Sequence, residues 1–337
     1  MTKVDLDIPI ISKTRDRTWE GLFASRPTTY ICLVLVAAFV SYACWLRTYT
    51  IFSCPAGGYN TDRYLAYCSG ANYADYEHGA FRFALEPSVQ NFASNADVLF
   101  LGNSRLQAAF STAATADWFS AASARYYLMG FAYYENMVFA EELLRRIRPR
   151  AKVYVINLDD FFDLSESPPV KTILNDPEAR HRYEEKHLWQ HVHEPLCKMF
   201  PALCGAKFAI FRSRETGAYY TEGAQENVTP TQKATPVSYD QVVSQDSVER
   251  STPLAIDFLS QFTQGKCVIL TMVPFVQTKS GNANAIANGL GMKLVTPDIL
   301  EGLQTYDGYH LSQSSAERWS HAFFQAAGSK IRSCLKE

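Results

Sequence analysis

Several signals that would place this chain at once are missing. No charge of one sign dominates: 32 Lys and Arg stand against 34 Asp and Glu, a formal net charge of -2. Such a balance supplies no global basic field to hold nucleic acid or an anionic membrane surface, so no nucleic-acid partner is expected. There is no Cys-x-x-Cys pair, and no Gly-rich phosphate loop of the kind that cradles nucleotides. Internal repeats and long low-complexity tracts are also lacking, which argues against a solenoid or a disordered tail. What is there is globular. The 337 residues are 47% hydrophobic and 20% charged, enough core material for one large domain or two ordinary ones.

One apolar run stands out. Residues 28–46 read TTYICLVLVAAFVSYACWL without a single charge. As a helix these 19 residues rise roughly 28 Å, close to the hydrocarbon thickness of a bilayer. A buried core helix usually carries a polar stripe, and this segment has none. Tyr30, Tyr42 and Trp45 lie near its ends, as interfacial aromatics do. Lys3, Lys13, Arg15, Arg17 and Arg26 precede it, whereas Arg47 is the lone cation after it until Arg63. The asymmetry predicts a cytoplasmic tail over 1–27, an anchor over 28–47 and an exported remainder. A cleaved signal peptide is the competing reading. The leader is long for an n-region and the apolar run long for an h-region, which favours an uncleaved anchor.

The cysteines agree with export. Cys32 and Cys44 fall inside the run, and six remain beyond it. An even number permits disulfides in an oxidising compartment. Short loops favour Cys54–Cys68 and Cys197–Cys204, which leaves Cys267 with Cys334, one of 15 connectivities that six cysteines allow.

Residues 48–95 read as a juxtamembrane segment. From 96 onward strands alternate with helices. Asp97–Leu101 is an apolar strand ending at Gly102-Asn103-Ser104, and a helix is expected over Leu106–Phe119. A second strand spans Ala124–Met129, and an amphipathic helix runs from Tyr133 to Ile147 and stops at Pro149. Lys152–Leu158 and Lys266–Val273 give further strands, Met292–Val295 a fifth, and Ser314–Ile331 a last helix. This alternation predicts an α/β domain over 96–337: a parallel sheet covered on both faces. The stretch about 164–262 is far longer than an ordinary loop and reads as an insertion, with a helix around Glu178–Val192, that partly caps the site.

Two short segments carry the chemistry. Ser104 sits at a strand-to-helix turn, hence at the C-terminal edge of the sheet where α/β folds place their sites. The helix that follows directs free N–H groups at a developing oxyanion, and Gly102 permits the sharp turn. Asn103-Ser104 is also a good helix cap, so this segment alone is ambiguous. Asp307-Gly308-Tyr309-His310 lies just before the last helix. An Asp three residues before a His can fold back and fix the imidazole tautomer, leaving the other nitrogen to take a serine proton.

Together these segments resemble the SGNH/GDSL hydrolase family over about residues 96–331. Gly102-Asn103-Ser104 matches its first motif, with Ser104 as nucleophile. Gly130 matches the glycine whose N–H helps form the oxyanion hole, and Asp307 and His310 match the acid and base. The third motif, Gly-x-Asn-Asp, is altered here to Asn157-Leu158-Asp159-Asp160. A carboxylate at Asp159 would repel an oxyanion unless it is protonated or turned away. Either Asn157 substitutes from a shifted position, or the hole uses only the backbone N–H groups of Ser104 and Gly130.

The resemblance implies a three-layer α/β/α sandwich and Ser-His-Asp chemistry without cofactor or metal. It is similar to single-pass proteins that add or remove acetyl groups on bacterial exopolysaccharides such as alginate and cellulose. Expected with it are an inner-membrane location with a periplasmic catalytic domain, a polysaccharide or other acylated carbohydrate as partner, and a membrane-bound acyltransferase or synthase complex nearby. The alternative is a catalytically inactive domain of this type that binds polysaccharide or scaffolds a secretion complex. Trp189, Tyr219, Tyr220 and Tyr239 are candidate sugar-stacking aromatics, with ordinary packing as the plainer reading. His187 and His191, one turn apart, could ligate zinc, but the motif holds no clear glutamate base and solvated histidines explain it. Asn227-Val228-Thr229 is a glycosylation sequon, meaningful only in a eukaryotic secretory route.

Overall fold

The computed structural model describes residues 27–69, 73–222 and 235–337. The sequon at Asn227 and the predicted tail through residue 26 lie outside the described residues. The chain forms two compact units, one through Leu46 and one from Arg47 onward. In the first, helix α1 (Pro27–Tyr49) includes Thr29–Tyr49, the one described helix long and apolar enough to cross a membrane, and its most apolar window is not buried at all.

The second unit opens with strand β1 (Arg63–Cys68) and helices α2 (Tyr76–Arg82) and α3 (Val89–Ser94). Strand β2 (Val98–Asn103) runs straight into α4 (Ser104–Phe110), followed by α5 (Ala113–Ala122), β3 (Tyr126–Phe131), α6 (Met137–Ile147) and β4 (Val153–Asn157). Helices α7 (Pro168–Asn175) and α8 (Ala179–Met199) precede the strands β5 (Ala209–Ser213), β6 (Tyr219–Glu222) and β7 (Thr235–Pro236). The chain ends with α9 (Gln245–Phe262), β8 (Cys267–Thr271), α10 (Ser280–Gly289), β9 (Gln304–Thr305) and α11 (Gln313–Lys336).

The central sheet is parallel, in the order β3-β2-β4-β8, as expected from the alternation. Its side chains divide by the period of two. Val98, Phe100, Leu128, Val155 and Ile269 enter a core with Phe110, Phe119, Trp319 and Phe323 from α4, α5 and α11. On the opposite face Tyr127 and Phe131 meet Phe81 of α2, and Phe131 meets Phe139 of α6. Burial on both faces is why β2 reads VLFL without a polar residue.

Local chemistry moves several boundaries. The helix expected over Leu106–Phe119 is broken at Ser111-Thr112. Ser111 Oγ turns back to the Gln107 carbonyl, and Thr112 caps α5 by accepting from Thr115 N. Helix α6 begins at Met137 rather than Tyr133. Asn136 is its cap, and Tyr133 and Tyr134 ahead of it take left-handed backbone conformations, φ 61° and 56°. Met292–Val295 makes only a single bridge, Leu294 with Leu270, and is not a full strand.

The larger difference concerns 48–95. Read from sequence as a juxtamembrane segment ahead of the α/β domain, it is folded into the same compact unit as that domain. Strand β1 pairs antiparallel with β5 of the long insertion, and β5 with β6. The turn after β5 then covers the edge of β3: Leu128 N donates to Thr216 O at 2.8 Å, and Arg212 Nη2 donates to Leu128 O at 2.7 Å. Both backbone polar groups of Leu128 on that edge are thereby engaged. Arg212 is fully buried and carries its own counter-ion, Glu77, at 2.8 Å. The three cysteine pairs are Cys54–Cys68, Cys197–Cys204 and Cys267–Cys334, the pairing the loop lengths favour.

Candidate active site

Ser104 is the first residue of α4, at the C-terminal edge of the parallel sheet. The cap that starts this helix is Asn103, whose Oδ1 accepts from Arg105 N at 3.0 Å. Across the sheet edge, the Asp307–His310 turn lies between β9 and α11. Gly308 there has φ +86°, a conformation that favours glycine. Asp307 Oδ1 accepts from the backbone N–H groups of Tyr309 and His310, at 2.9 and 2.7 Å. Its other oxygen, Oδ2, lies 2.6 Å from His310 Nδ1. His310 Nε2 lies 2.8 Å from Ser104 Oγ.

These distances fit one arrangement of protons. An ionised carboxylate only accepts, so Nδ1 is assigned the hydrogen, which leaves Nε2 to accept from the Ser104 hydroxyl. Burial opposes ionisation of Asp307. Hydrogen bonds from the His310 ring and from the backbone N–H groups of His310 and Tyr309 outweigh it and hold the carboxyl below its ordinary range. The Tyr306 ring stacks on the imidazole, centroids 5.7 Å apart, and limits its rotation. The arrangement can deprotonate a serine as it attacks a carbonyl and can return the proton to a leaving group.

The residues expected to line an oxyanion hole are distributed differently. Gly130 does approach the nucleophile turn closely, since a Cβ there would stand 2.6 Å from Asn103 O. Its N–H, however, is taken: it donates to Gln107 Oε1 at 3.1 Å. Gln107 lies one turn beyond Ser104 on α4, and its amide also donates to Gly217 O. Asp159 does not point at an oxyanion either. It pairs with Arg105 and accepts from Asn103 Nδ2 at 3.3 Å. Burial pushes its carboxyl up to about 6 against the lowering pull of Arg105. Asn157 lies one strand over from Gly102. Its Oδ1 accepts from Val273 N at 2.9 Å, while its Nδ2 is buried with no hydrogen-bond partner among the described residues. A buried amide donor left without a partner is costly in a finished structure.

Sequence reasoning missed Arg105. Its side chain is 4% exposed, and its guanidinium lies over the rings of Phe275 and Tyr134, at 4.1 and 5.2 Å. The signal was weak: an arginine next to the serine of a tight turn. Tyr134 and Tyr309, 58% and 42% exposed with centroids 5.9 Å apart, form an aromatic rim there. Three of the four aromatics named from sequence have other partners. Tyr219 donates to buried Glu77, Tyr220 lies under Arg63, and Trp189 meets Phe52. Tyr239 is half-buried.

Two histidines of α8, His187 and His193, have side-chain partners from outside the helix. His187 Nδ1 lies 2.8 Å from Tyr76 Oη and 3.4 Å from Glu86. His193 is buried, with Tyr59 Oη at 3.1 Å and Cys54 O at 3.2 Å, and is no solvated helix residue. Cys197 and Cys204 approach it, but their sulfurs are joined to each other and cannot serve as thiolate ligands. No family model, curated protein or solved structure matches the chain.

Proposed function

We propose that this chain is an exported serine esterase or O-acyltransferase of SGNH type, acting on a polysaccharide or other acylated carbohydrate. The observation that carries the reading is the unbroken Ser104–His310–Asp307 hydrogen-bond chain at the C-terminal edge of the sheet. Helices on both faces of that sheet fit the three-layer sandwich the motifs imply. Ser104 Oγ attacks the acyl carbon as its proton passes to His310 Nε2. The C–O bond to the leaving alcohol breaks, and that oxygen takes the proton back. Water or a sugar hydroxyl then attacks the acyl-serine by the same relay, giving hydrolysis or transfer. The Asn157 amide and the Ser104 backbone N–H are the donors this reading assigns to the tetrahedral oxyanion. The apolar helix at Thr29–Tyr49 supports an inner-membrane anchor with a periplasmic domain beside a polymer synthase or acyl-donating partner.

The test is acyl-enzyme trapping. Full-length protein in detergent is mixed with an activated acetyl ester, quenched in acid and digested. A Ser104 peptide heavier by one acetyl group, absent in His310→Ala, is expected. A second reading, an inactive carbohydrate-binding domain, is favoured by the occupied Gly130 N–H. It predicts an unmodified Ser104 with a native fold.

A further inference from the structure

Helix α8 has two apolar faces, and the globular unit uses one of them. Tyr183, Gln190, His193 and Cys197 account for the inner face, all buried. Between Leu188 and Phe200 a second face points outward. Leu188, Val192, Pro195 and Met199 recur at i, i+4, i+7 and i+11, the spacing of one helical stripe. Leu188 is 64% exposed, Met199 66%, and the flanking Trp189 and Phe200 are 41% and 51% exposed. His187, His191, Glu194 and Lys198 fill the adjacent polar side. A contiguous outward stripe of large apolar side chains marks a contact surface rather than scattered surface residues.

What lies beside the stripe identifies its partner. The Phe52 ring meets Trp189 edge-on at 6.5 Å, three residues after α1 ends. At the other end, Arg47 Nη1 donates to Ala202 O at 3.0 Å, two residues past Phe200, and Lys207 Nζ donates to Thr48 O at 3.1 Å. The Cys197–Cys204 bridge pins the intervening turn. Both ends of the stripe therefore adjoin residues 47–52, where the chain leaves its apolar segment.

We propose that this outer face of α8 lies in the headgroup region of the bilayer, with lipid as its partner. The inference rests on the reading of Thr29–Tyr49 as a membrane span. Trp and Phe with Leu and Met on one side, and Lys198, Lys207 and Arg47 close by, suit the boundary between acyl chains and phosphates. A second copy of the chain fits less well. Three helical turns about 17 Å long make a narrow patch beside the roughly 800 Å² per partner of a stable dimer.

The test places an environment-sensitive fluorophore at Leu188→Cys or Val192→Cys in full-length protein carrying Cys32→Ser and Cys44→Ser. The protein is reconstituted in phosphatidylcholine–phosphatidylglycerol vesicles. Ser120→Cys on α5 and Val36→Cys in α1 serve as references. Nitroxide-labelled lipid is expected to quench the probes at 188 and 192 several-fold more than the probe at 120, with aqueous iodide showing the reverse order. Lipid quenching at 36 but not at 188 and 192 overturns the interfacial assignment alone. Protection of 188 and 192 from both quenchers also overturns it, in favour of a protein partner. No lipid quenching at 36 removes the span reading on which the inference stands.

Discussion

His310 Nε2 stands 2.8 Å from Ser104 Oγ although 206 residues of chain separate them. The Asp307 carboxylate accepts two backbone hydrogen bonds and one from the imidazole, which aims the ring at that oxygen. Ser104→Ala and His310→Ala should each lower hydrolysis of an activated acetyl ester by several orders of magnitude, with their losses not additive. Asp307→Ala should cost less, because it removes the orienting group and not the proton acceptor. Initial rates with the three variants at matched folded concentration check this. Activity surviving both single losses would assign the chemistry to another site.

Arg105 and Asp159 brace the turn that presents Ser104. Arg105→Lys should lower kcat about tenfold to a hundredfold with KM little changed, since a lysine cannot lie flat over Phe275 and Tyr134. Asp159→Asn should not accelerate the reaction, because the carboxylate pairs with Arg105 and Asn103. A faster Asp159→Asn enzyme would place that side chain in the oxyanion hole after all.

Tyr134 is held outward by left-handed backbone at two successive residues, a conformation unfavourable for tyrosine and therefore suggestive of use. Tyr134→Ala and Tyr309→Ala should raise KM for an acetylated oligosaccharide severalfold and leave turnover of a small activated ester nearly unchanged. Stacking of a sugar ring on the rim would produce that split. Equal losses on both substrates would count against it.

His193 links pH to stability. Burial lowers its pKa from 6.5 to about 4. Between those values the unfolded chain binds a proton that the folded chain refuses. Stability is therefore fully present above about pH 6.5 and is lost as pH falls toward 4, by roughly 3 kcal/mol for this group. In His193→Gln that part of the acid sensitivity should vanish. Urea unfolding of both proteins from pH 7 to pH 4 measures the difference, and parallel curves would refute the assignment.

Cys267 and Cys334 tie the start of β8 to the last turns of α11 across 67 residues. Chain entropy puts the stabilisation at roughly 4 kcal/mol. The double replacement Cys267→Ser with Cys334→Ser should lower the melting temperature by on the order of 5–10 °C. A thermal scan without reductant tests it, and an unchanged Tm would mean the two sulfurs are not joined.

The parallel sheet was legible because its strands are buried on both faces and therefore read as unbroken apolar runs such as VLFL. Their limits were not, because hydrogen bonds of single polar side chains within the chain's own turns settle them: Asn136 starts α6, and Ser111 with Thr112 ends one helix and begins the next. The meeting of Ser104 with Asp307 and His310 was legible because each segment is a local turn with a demanding backbone, Asn103-Ser104 at a helix start and Gly308 at φ +86°.

The oxyanion side was not legible, and the reason is physical. Whether an N–H is free depends on what else reaches it, and Gln107 reaches Gly130 only once α4 lies against β3. The same holds for Asp159, whose orientation is decided by a buried arginine, and for residues 48–95, whose β1 acquires its partner β5 from more than 140 residues away. By itself the sequence determined the residue types, the local turns and the apolar periods. The tertiary structure alone decided which polar groups are left unpaired, because hydrogen-bond partnership is a property of neighbours in space.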